Sequence, residues 1–367
     1  MERIYKQLAL HLDKIPNGYP ETDSGVELKI LKKLFSIEEA ELACLMDHEP
    51  ESVATIAKNA GMEERAVFVI VKAMMKKGLI EMKKEPGSLL FNLIPFVVGF
   101  YEKQNANIDK EFAQLFEEYY KEGFHKIMTV SPSVHRVIPV EKTIPLNVDV
   151  MPYERASTYL DKASAWGVLK CICRVQKSLI GEDCGHSKEN CIVFATRAGV
   201  FDRSDSIRAL TKDEALKILK DSNDEGLIHT INNVQDEVSY ICNCCSCSCG
   251  VLRGFTEHGS LNSVAQSDFF VKIDEELCTG CENCLDRCNF DALKITDDIC
   301  KVDLSLCFGC GLCINECPEE AMSLIQKDKS EIKAIVKSYF NNVFISKLKD
   351  KDLYIIGTRT TKISEHD

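Results

Sequence analysis

Apolar residues recur at helical spacing through the first hundred positions of the chain. VELKILKKLF (26–35) and IEEAELACLM (37–46) change from apolar to charged every three or four residues, as amphipathic helices do. ESVATIAKNA (51–60) and RAVFVIVKAMMKKG (65–78) continue the rhythm, with Val53, Ile56 and Ala57, then Val67, Ile70, Val71 and Met74, on one face and the turn GMEE between them. GLIEMKKEPGSLLFNLI then reads as two strands around the turn Glu85-Pro86-Gly87. NIDKEFAQLFEEYYKEGF (107–124) returns to helical period and predicts a further amphipathic helix, able to extend this region or to form a dimer interface.

The order helix, helix, turn, helix, hairpin resembles the winged helix-turn-helix of MarR-like and ArsR-like regulators. In that arrangement the second helix of the motif enters the major groove by its N-terminal residues. Here those are Glu63, Glu64 and Arg65, and two leading carboxylates repel phosphates and accept only from cytosine. Lys72, Lys76, Lys77, Lys83 and Lys84 give the helix end and wing some basic character, which a solvated face explains equally well. A structural or docking role is therefore favoured over DNA binding.

Beyond 128 the pattern changes. Pro132, Pro139, Pro145 and Pro152 fall within one short stretch and resist helix, so 128–152 is expected to be an extended arm after a winged-helix region at 1–127. YERASTYLDKASA (153–165) predicts a helix, and Thr211-Lys212-Asp213-Glu214 is a capping box that opens another. Residues 153–265 form a cysteine-rich α+β middle domain, 266–326 a ferredoxin-like dicluster domain and 327–367 a C-terminal extension. The expected fold class is α+β, multidomain.

The last of these domains is a tandem repeat. Cys278, Cys281, Cys284 and Cys288 recur 29 residues later as Cys307, Cys310, Cys313 and Cys317, and VKIDEELCTGC aligns with CKVDLSLCFGC. Each run reads C-x2-C-x2-C-x3-C, the spacing of bacterial-type ferredoxins that hold two [4Fe–4S] clusters, in which the fourth cysteine reaches across to the other cluster. That assigns Cys278, Cys281, Cys284 and Cys317 to cluster one, and Cys307, Cys310, Cys313 and Cys288 to cluster two. Each half is expected to be strand, ligand loop and short helix, with VKI and KV pairing across a pseudo-twofold axis. Zinc ribbons also use C-x2-C pairs, but as two pairs separated by a longer spacer. Asn289 stands where the usual proline would follow the first run; Pro318 follows the second.

Nine further thiols lie in the middle domain: Cys171, Cys173, Cys184 and Cys191, then Cys242, Cys244, Cys245, Cys247 and Cys249. Single buried cysteines are the norm in cores, so this density points to metal. The candidates are a third iron–sulfur cluster on the first group, with or without thiols of the second, or a structural zinc on Cys184, His186 and Cys191 with a fourth ligand. The C-x-C pairs are awkward for adjacent corners of one cubane, which leaves room for an unusual cluster or two metals. His186 otherwise reads as a surface or outer histidine. Arg174 and Arg253 are candidate donors to sulfur, with ordinary salt bridges as the alternative. Cys44 and Cys300 read as inert core.

The combination C-x-C-R, C-x-H, then ICNCC-x-C-x-C-G-V-L-R and a two-cluster ferredoxin resembles a cysteine-rich iron–sulfur protein family of strict anaerobes over roughly 130–326. The resemblance implies anaerobic electron transfer in the cytoplasm. Other members tend to carry a further cysteine where this chain has Ser248.

Composition narrows the rest. A net charge of −12 disfavours non-specific nucleic-acid affinity, and twelve acids against four bases over 271–326 make the ferredoxin segment the acidic pole. That suits docking to a basic redox partner. MERIYKQLALHLDKIP lacks the apolar core of a signal peptide, and LLFNLIPFVVGFY, interrupted by Asn92 and Pro95, is too short to span a bilayer. No nucleotide-binding glycine fingerprint, P-loop, H-E-x-x-H or G-x-S-x-G is present. The sequence thus predicts two [4Fe–4S] clusters, an additional cluster or zinc, and electron transfer to a partner protein or to the middle site. A redox-responsive regulator and a reductase subunit are the alternatives, and no catalytic residue is nominated.

Overall fold

The structure, a computed structural model, describes residues 2–15, 17–144, 155–204, 206–234, 238–328, 343–347 and 354–358. It is a mixed α+β chain that divides into two compact units, one built chiefly from Met1–Ser131 and the other from Pro132–Ser178 and Glu182–Lys337. Of the C-terminal extension only 327–328 and the antiparallel pair Val343–Lys347 and Tyr354–Thr358 lie within the described residues.

In the first unit, helices Glu2–Leu12, Val26–Leu34, Ile37–Ala43, Val53–Ala60 and Glu64–Lys76 precede the hairpin Ile80–Glu85 and Ser88–Leu93. Local chemistry sets the boundaries. Ser36 and Glu39 close a reciprocal capping box, and Ser52 accepts from the Thr55 N–H, each cap contributing about 1 kcal/mol. Gly61 ends its helix at φ 62°, a conformation glycine adopts without a Cβ penalty. Glu51–Ser52 pairs with the second hairpin strand, completing a three-stranded sheet. Lys110–Glu122 packs on Val26–Leu34 and buries Phe112, Phe116, Tyr119 and Tyr120. Phe116 stacks on Tyr101 at 3.9 Å, and the Tyr119 hydroxyl donates to the Pro20 carbonyl at 3.1 Å. The apolar face of that helix is thus taken up inside the unit.

The second unit is organised on a seven-stranded sheet in the spatial order Val264–Ala265, His135–Val137, Ile228–Asn232, Tyr240–Cys244, Glu189–Ala195, Ala165–Lys170 and Arg208–Leu210. Only the first pair is parallel. The 128–152 segment is therefore more than a connector: His135–Val137 is an internal strand. Its backbone donors and acceptors have ladder partners because Pro132 and Pro139 fall outside the paired residues. Pro145 and Pro152 lie outside the described residues, as does the start of the helix expected from 153, which is observed as Ala156–Lys162. Lys212–Asp224 opens at the expected Thr211–Glu214 capping box and packs on the sheet around Ile192, Ile231, Ile241, Ala215 and Leu219.

The ferredoxin segment pairs its strands differently from the expectation. Phe269–Ile273 joins Met322–Gln326, and Leu293–Thr296 joins Ile299–Val302. VKI thus does not pair with KV. The stretches after the ligand loops, NFDALKI (289–295) and PEEAMSL (318–324), run into strands where the short helix of each half was expected, and the first strand of the first half is completed by the last strand of the second. The two residues between Thr296 and Ile299, Asp297 and Asp298, both have positive φ (52° and 59°), the geometry of a tight hairpin turn that matches strand twist.

Candidate metal centres

The 29-residue repeat survives in three dimensions down to single hydrogen bonds. The Ala292 N–H donates to Cys288 Sγ and the Ala321 N–H to Cys317 Sγ, both at 3.3 Å. Gly280 and Gly309 hold φ 65° and 67° with a neighbouring carbonyl pressed against the place a Cβ would occupy, Asp298 O at 2.3 Å in one case and Phe269 O at 2.1 Å in the other. Any side chain there would push the ligand loop off its strand.

Two cavities, open to solvent, result. Cys278, Cys281, Cys284 and Cys317 line the first; Cys288, Cys307, Cys310 and Cys313 line the second. Each therefore draws three sulfurs from one loop and a fourth from the other half. Burial pushes the Cys288 thiol up, carries Cys310 to about 12 and raises Cys313 well above the ordinary thiol range. These thiolates need a cationic core to exist, and four soft sulfurs round one cavity are the donor set that a [4Fe–4S] cluster takes.

The cavities differ in one residue that matters. Val271 lines the second, and its repeat counterpart Cys300 lines the first. Cys300 is buried, as expected, but it is not remote: its Sγ is 3.6 Å from Cys284 Sγ and its N–H donates to Cys278 Sγ at 3.4 Å. The contact with Cys300 brings Cys284 down to about 7.

The middle cysteines are arranged on another principle. Alternation along Tyr240–Cys244 sends Cys242 and Cys244 to one face and Ile241 and Asn243 to the other. Cys191 lies on the neighbouring strand, Cys171 and Cys173 flank the start of helix Ile172–Leu179, and Cys249 caps helix Gly250–Thr256. Their sulfurs close a ring: Cys171 meets Cys173, Cys173 meets Cys249, Cys249 meets Cys244, Cys244 meets Cys242, Cys242 meets Cys191 at 3.9 Å, and Cys191 returns to Cys171. Contact with Cys173 holds Cys171 low and contact with Cys242 brings Cys244 to about 6, while the neighbours are pushed up by the same contacts. Bound cations would hold the ring sulfurs ionised together.

Cys184, Cys245 and Cys247 stand apart from the ring and gather with His186. Cys191, the third member of the zinc candidate read from the sequence, is not among them and lies in the ring. Arg174 sits beside this group: its Nε donates to Cys245 Sγ at 3.4 Å, and its other nitrogens donate to the Ser187 and Asn243 carbonyls. Contact with Cys247 and the Arg174 charge bring Cys245 down to about 4. Arg253 donates to Glu257, an i,i+4 salt bridge. Cys44 closes helix Ile37–Ala43 in the first unit, its thiol raised to about 11 by burial.

Several further residues position the sulfurs. Asn243, between two ring cysteines, donates to the Asn190 carbonyl at 2.6 Å and pairs with His229 Nδ1 at 2.6 Å, which fixes the strand that presents Cys242 and Cys244. Asn289, the departure from the usual proline, accepts from the Ser246 hydroxyl at 3.0 Å and donates to the Gly226 carbonyl at 3.2 Å. Proline could do neither. Phe290 and Phe308, both lining the second cavity, stack at 4.1 Å, and Phe255 abuts both edge-on at 5.5 and 5.3 Å. Val140 donates its N–H to the Cys310 carbonyl, and Thr143 closes over Gly311 so that a Cβ there would lie 2.3 Å from its hydroxyl.

Among the described residues no helix is long and apolar enough to cross a membrane. Comparison with curated proteins and with solved structures returns no match. The 4Fe-4S binding domain family matches at residues 271–294 and 300–323, the two halves of the repeat, so this C-terminal segment is a ferredoxin-type 4Fe–4S domain with an iron–sulfur electron-transfer role.

Proposed function

We propose that the protein is an electron carrier with two [4Fe–4S] clusters, one held by Cys278, Cys281, Cys284 and Cys317 and the other by Cys307, Cys310, Cys313 and Cys288, which delivers low-potential electrons to the middle thiol ring. When bound, each cluster takes up and returns one electron. The observation that carries the reading is the bridge at Asn289: this residue follows Cys288 in the chain and bonds Ser246, which stands between the ring cysteines Cys244 and Cys249. Phe255, Phe290 and Phe308 keep water out of the same seam.

The acidic ferredoxin segment suits a basic partner protein as donor, with docking weakened by salt. The first unit is read as a winged helix that docks and does not read DNA. Its helix Glu64–Lys76 leads with Glu63 and Glu64 and leaves Phe68 and Val69 exposed by 43 % and 64 %, apolar surface unsuited to a phosphate backbone. The reading places the protein in a reducing cytoplasm.

Oxygen-free reconstitution should give at least about eight irons per chain; fewer than about four would sink the proposal. Replacing Asn289 and Ser246 with alanine should leave that iron in place and slow reduction of the middle centre after rapid reduction of the ferredoxin clusters. Unchanged kinetics would remove the bridge from the route.

A further inference from the structure

The geometry points to a second, independent metal centre in the middle layer: one zinc ion held by Cys184, His186, Cys245 and Cys247. Among the described residues this is the set of metal-ligating side chains whose donor atoms all lie within 4.8 Å of one another. Cys184 Sγ is 4.0 Å from Cys245 Sγ, and His186 Nδ1 is 3.4 Å from Cys184 Sγ and 3.8 Å from Cys247 Sγ. A tetrahedral zinc with bonds of about 2.3 Å to sulfur and about 2.0–2.1 Å to nitrogen separates its ligands by roughly 3.5–3.8 Å. These three separations lie within a few tenths of an ångström of that spacing, and all four donors lie within 4.8 Å of one another. A cubane places each thiolate on a different iron across an inorganic core, and the ferredoxin cavities are open in the way that requires.

The surroundings complete a closed structural site. Three thiolates and a dication leave one negative charge, and buried Arg174 offsets it from Cys245. The buried Ser248 hydroxyl donates to Cys184 Sγ at 3.4 Å, which gives this residue a role as an outer donor. The C-x-H loop is held at both ends: the Gly185 N–H donates to Asp183 at 2.9 Å, Lys188 pairs with Asp183, and the Ser187 N–H donates to Glu225 at 3.1 Å. Four protein ligands leave no open position, so the ion fastens loop 183–188 to loop 245–249 and performs no chemistry. The thiol ring, by contrast, has no three sulfurs gathered this tightly. The inference stands whether or not electrons reach the ring.

The test uses the full chain, purified without oxygen and carrying its iron. Elemental analysis should find about one zinc per chain, and absorption at the zinc edge should report three sulfur neighbours and one nitrogen. His186→Cys should keep the zinc and convert it to four sulfurs, a readout that survives if His186→Ala or Cys247→Ser fails to fold. Cys242→Ser, in the ring, should leave the zinc untouched. Iron content reports the ferredoxin clusters separately, so failure of the two readings is distinguishable. Zinc below about half an equivalent, a nitrogen neighbour that persists in His186→Cys, or zinc lost with Cys242→Ser would overturn the assignment.

Discussion

The ferredoxin cavities and the middle thiol ring both collect cysteines, but by different means. In the ferredoxin segment, sulfurs are held apart round two voids by loops whose glycines accept positive φ, and cross-strand pairing brings in the fourth sulfur. In the middle layer, sulfurs touch one another because β-alternation, a helix start and a helix cap converge on one sheet face. The first arrangement reserves space for an inorganic core. The second packs the sulfurs directly against one another.

The strongest way to break this comparison is to remove one sulfur from each. Cys313→Ser should lower iron by about four per chain, whereas Cys244→Ser should leave the ferredoxin iron near eight; parallel iron analysis and low-temperature EPR decide it. Equal losses would mean that the two regions load as one.

Acid probes the sheet behind the ring. His135 is buried, bonded to the Tyr240 hydroxyl at 3.0 Å, and loss of hydration lowers its titration to about 4. The unfolded chain takes up that proton near pH 6.5, so the stability is fully present above this value and drains as pH falls toward about 4. Urea unfolding should show a loss of about 2 kcal/mol between about pH 7 and pH 5 from this residue. His135→Gln should flatten the slope, and an identical slope in the variant would count against a buried neutral imidazole.

A gentler test acts on the asymmetry between the two cavities. Cys300→Val gives the first cavity the residue that Val271 provides in the second. Stability should change by less than about 1.5 kcal/mol, while the two midpoint potentials move closer together in an EPR-monitored titration. Potentials that stay apart would place their difference elsewhere. The smallest effect concerns Glu282, which holds φ 67° where its repeat counterpart Gly311 holds 78°. Glu282→Gly should stabilise by about 1 kcal/mol, seen as a raised unfolding midpoint.

Short-range signals carried most of what could be read in the sequence. The capping box at Thr211, the turn at Pro86-Gly87, the buried positions of Glu64–Lys76 and the two cysteine loops all depend on residues a few positions apart. Long-range pairing was not legible. That Phe269–Ile273 would choose Met322–Gln326 depends on a partner some fifty residues away, and two similar repeat strands compete for it. The middle cysteines defeated spacing for the same reason: Cys184 and Cys191 are close in sequence, yet one goes to His186 and the other to the ring, because Cys191 lies on strand Glu189–Ala195 and Cys184 in the loop before it. A proline-rich stretch concealed a strand because only three residues between prolines are paired.

The exchanged strands bear on how this tail came to be built and how it assembles. A lone half would own three of its four sulfurs and an uncovered strand edge, so it could satisfy neither its ladder nor its cofactor unaided. Two separate halves could satisfy each other. Joining them in tandem makes that meeting an intramolecular event, set by the short span from Cys288 to Cys307 and no longer by protein concentration, and it obliges both halves to be synthesised before either is finished.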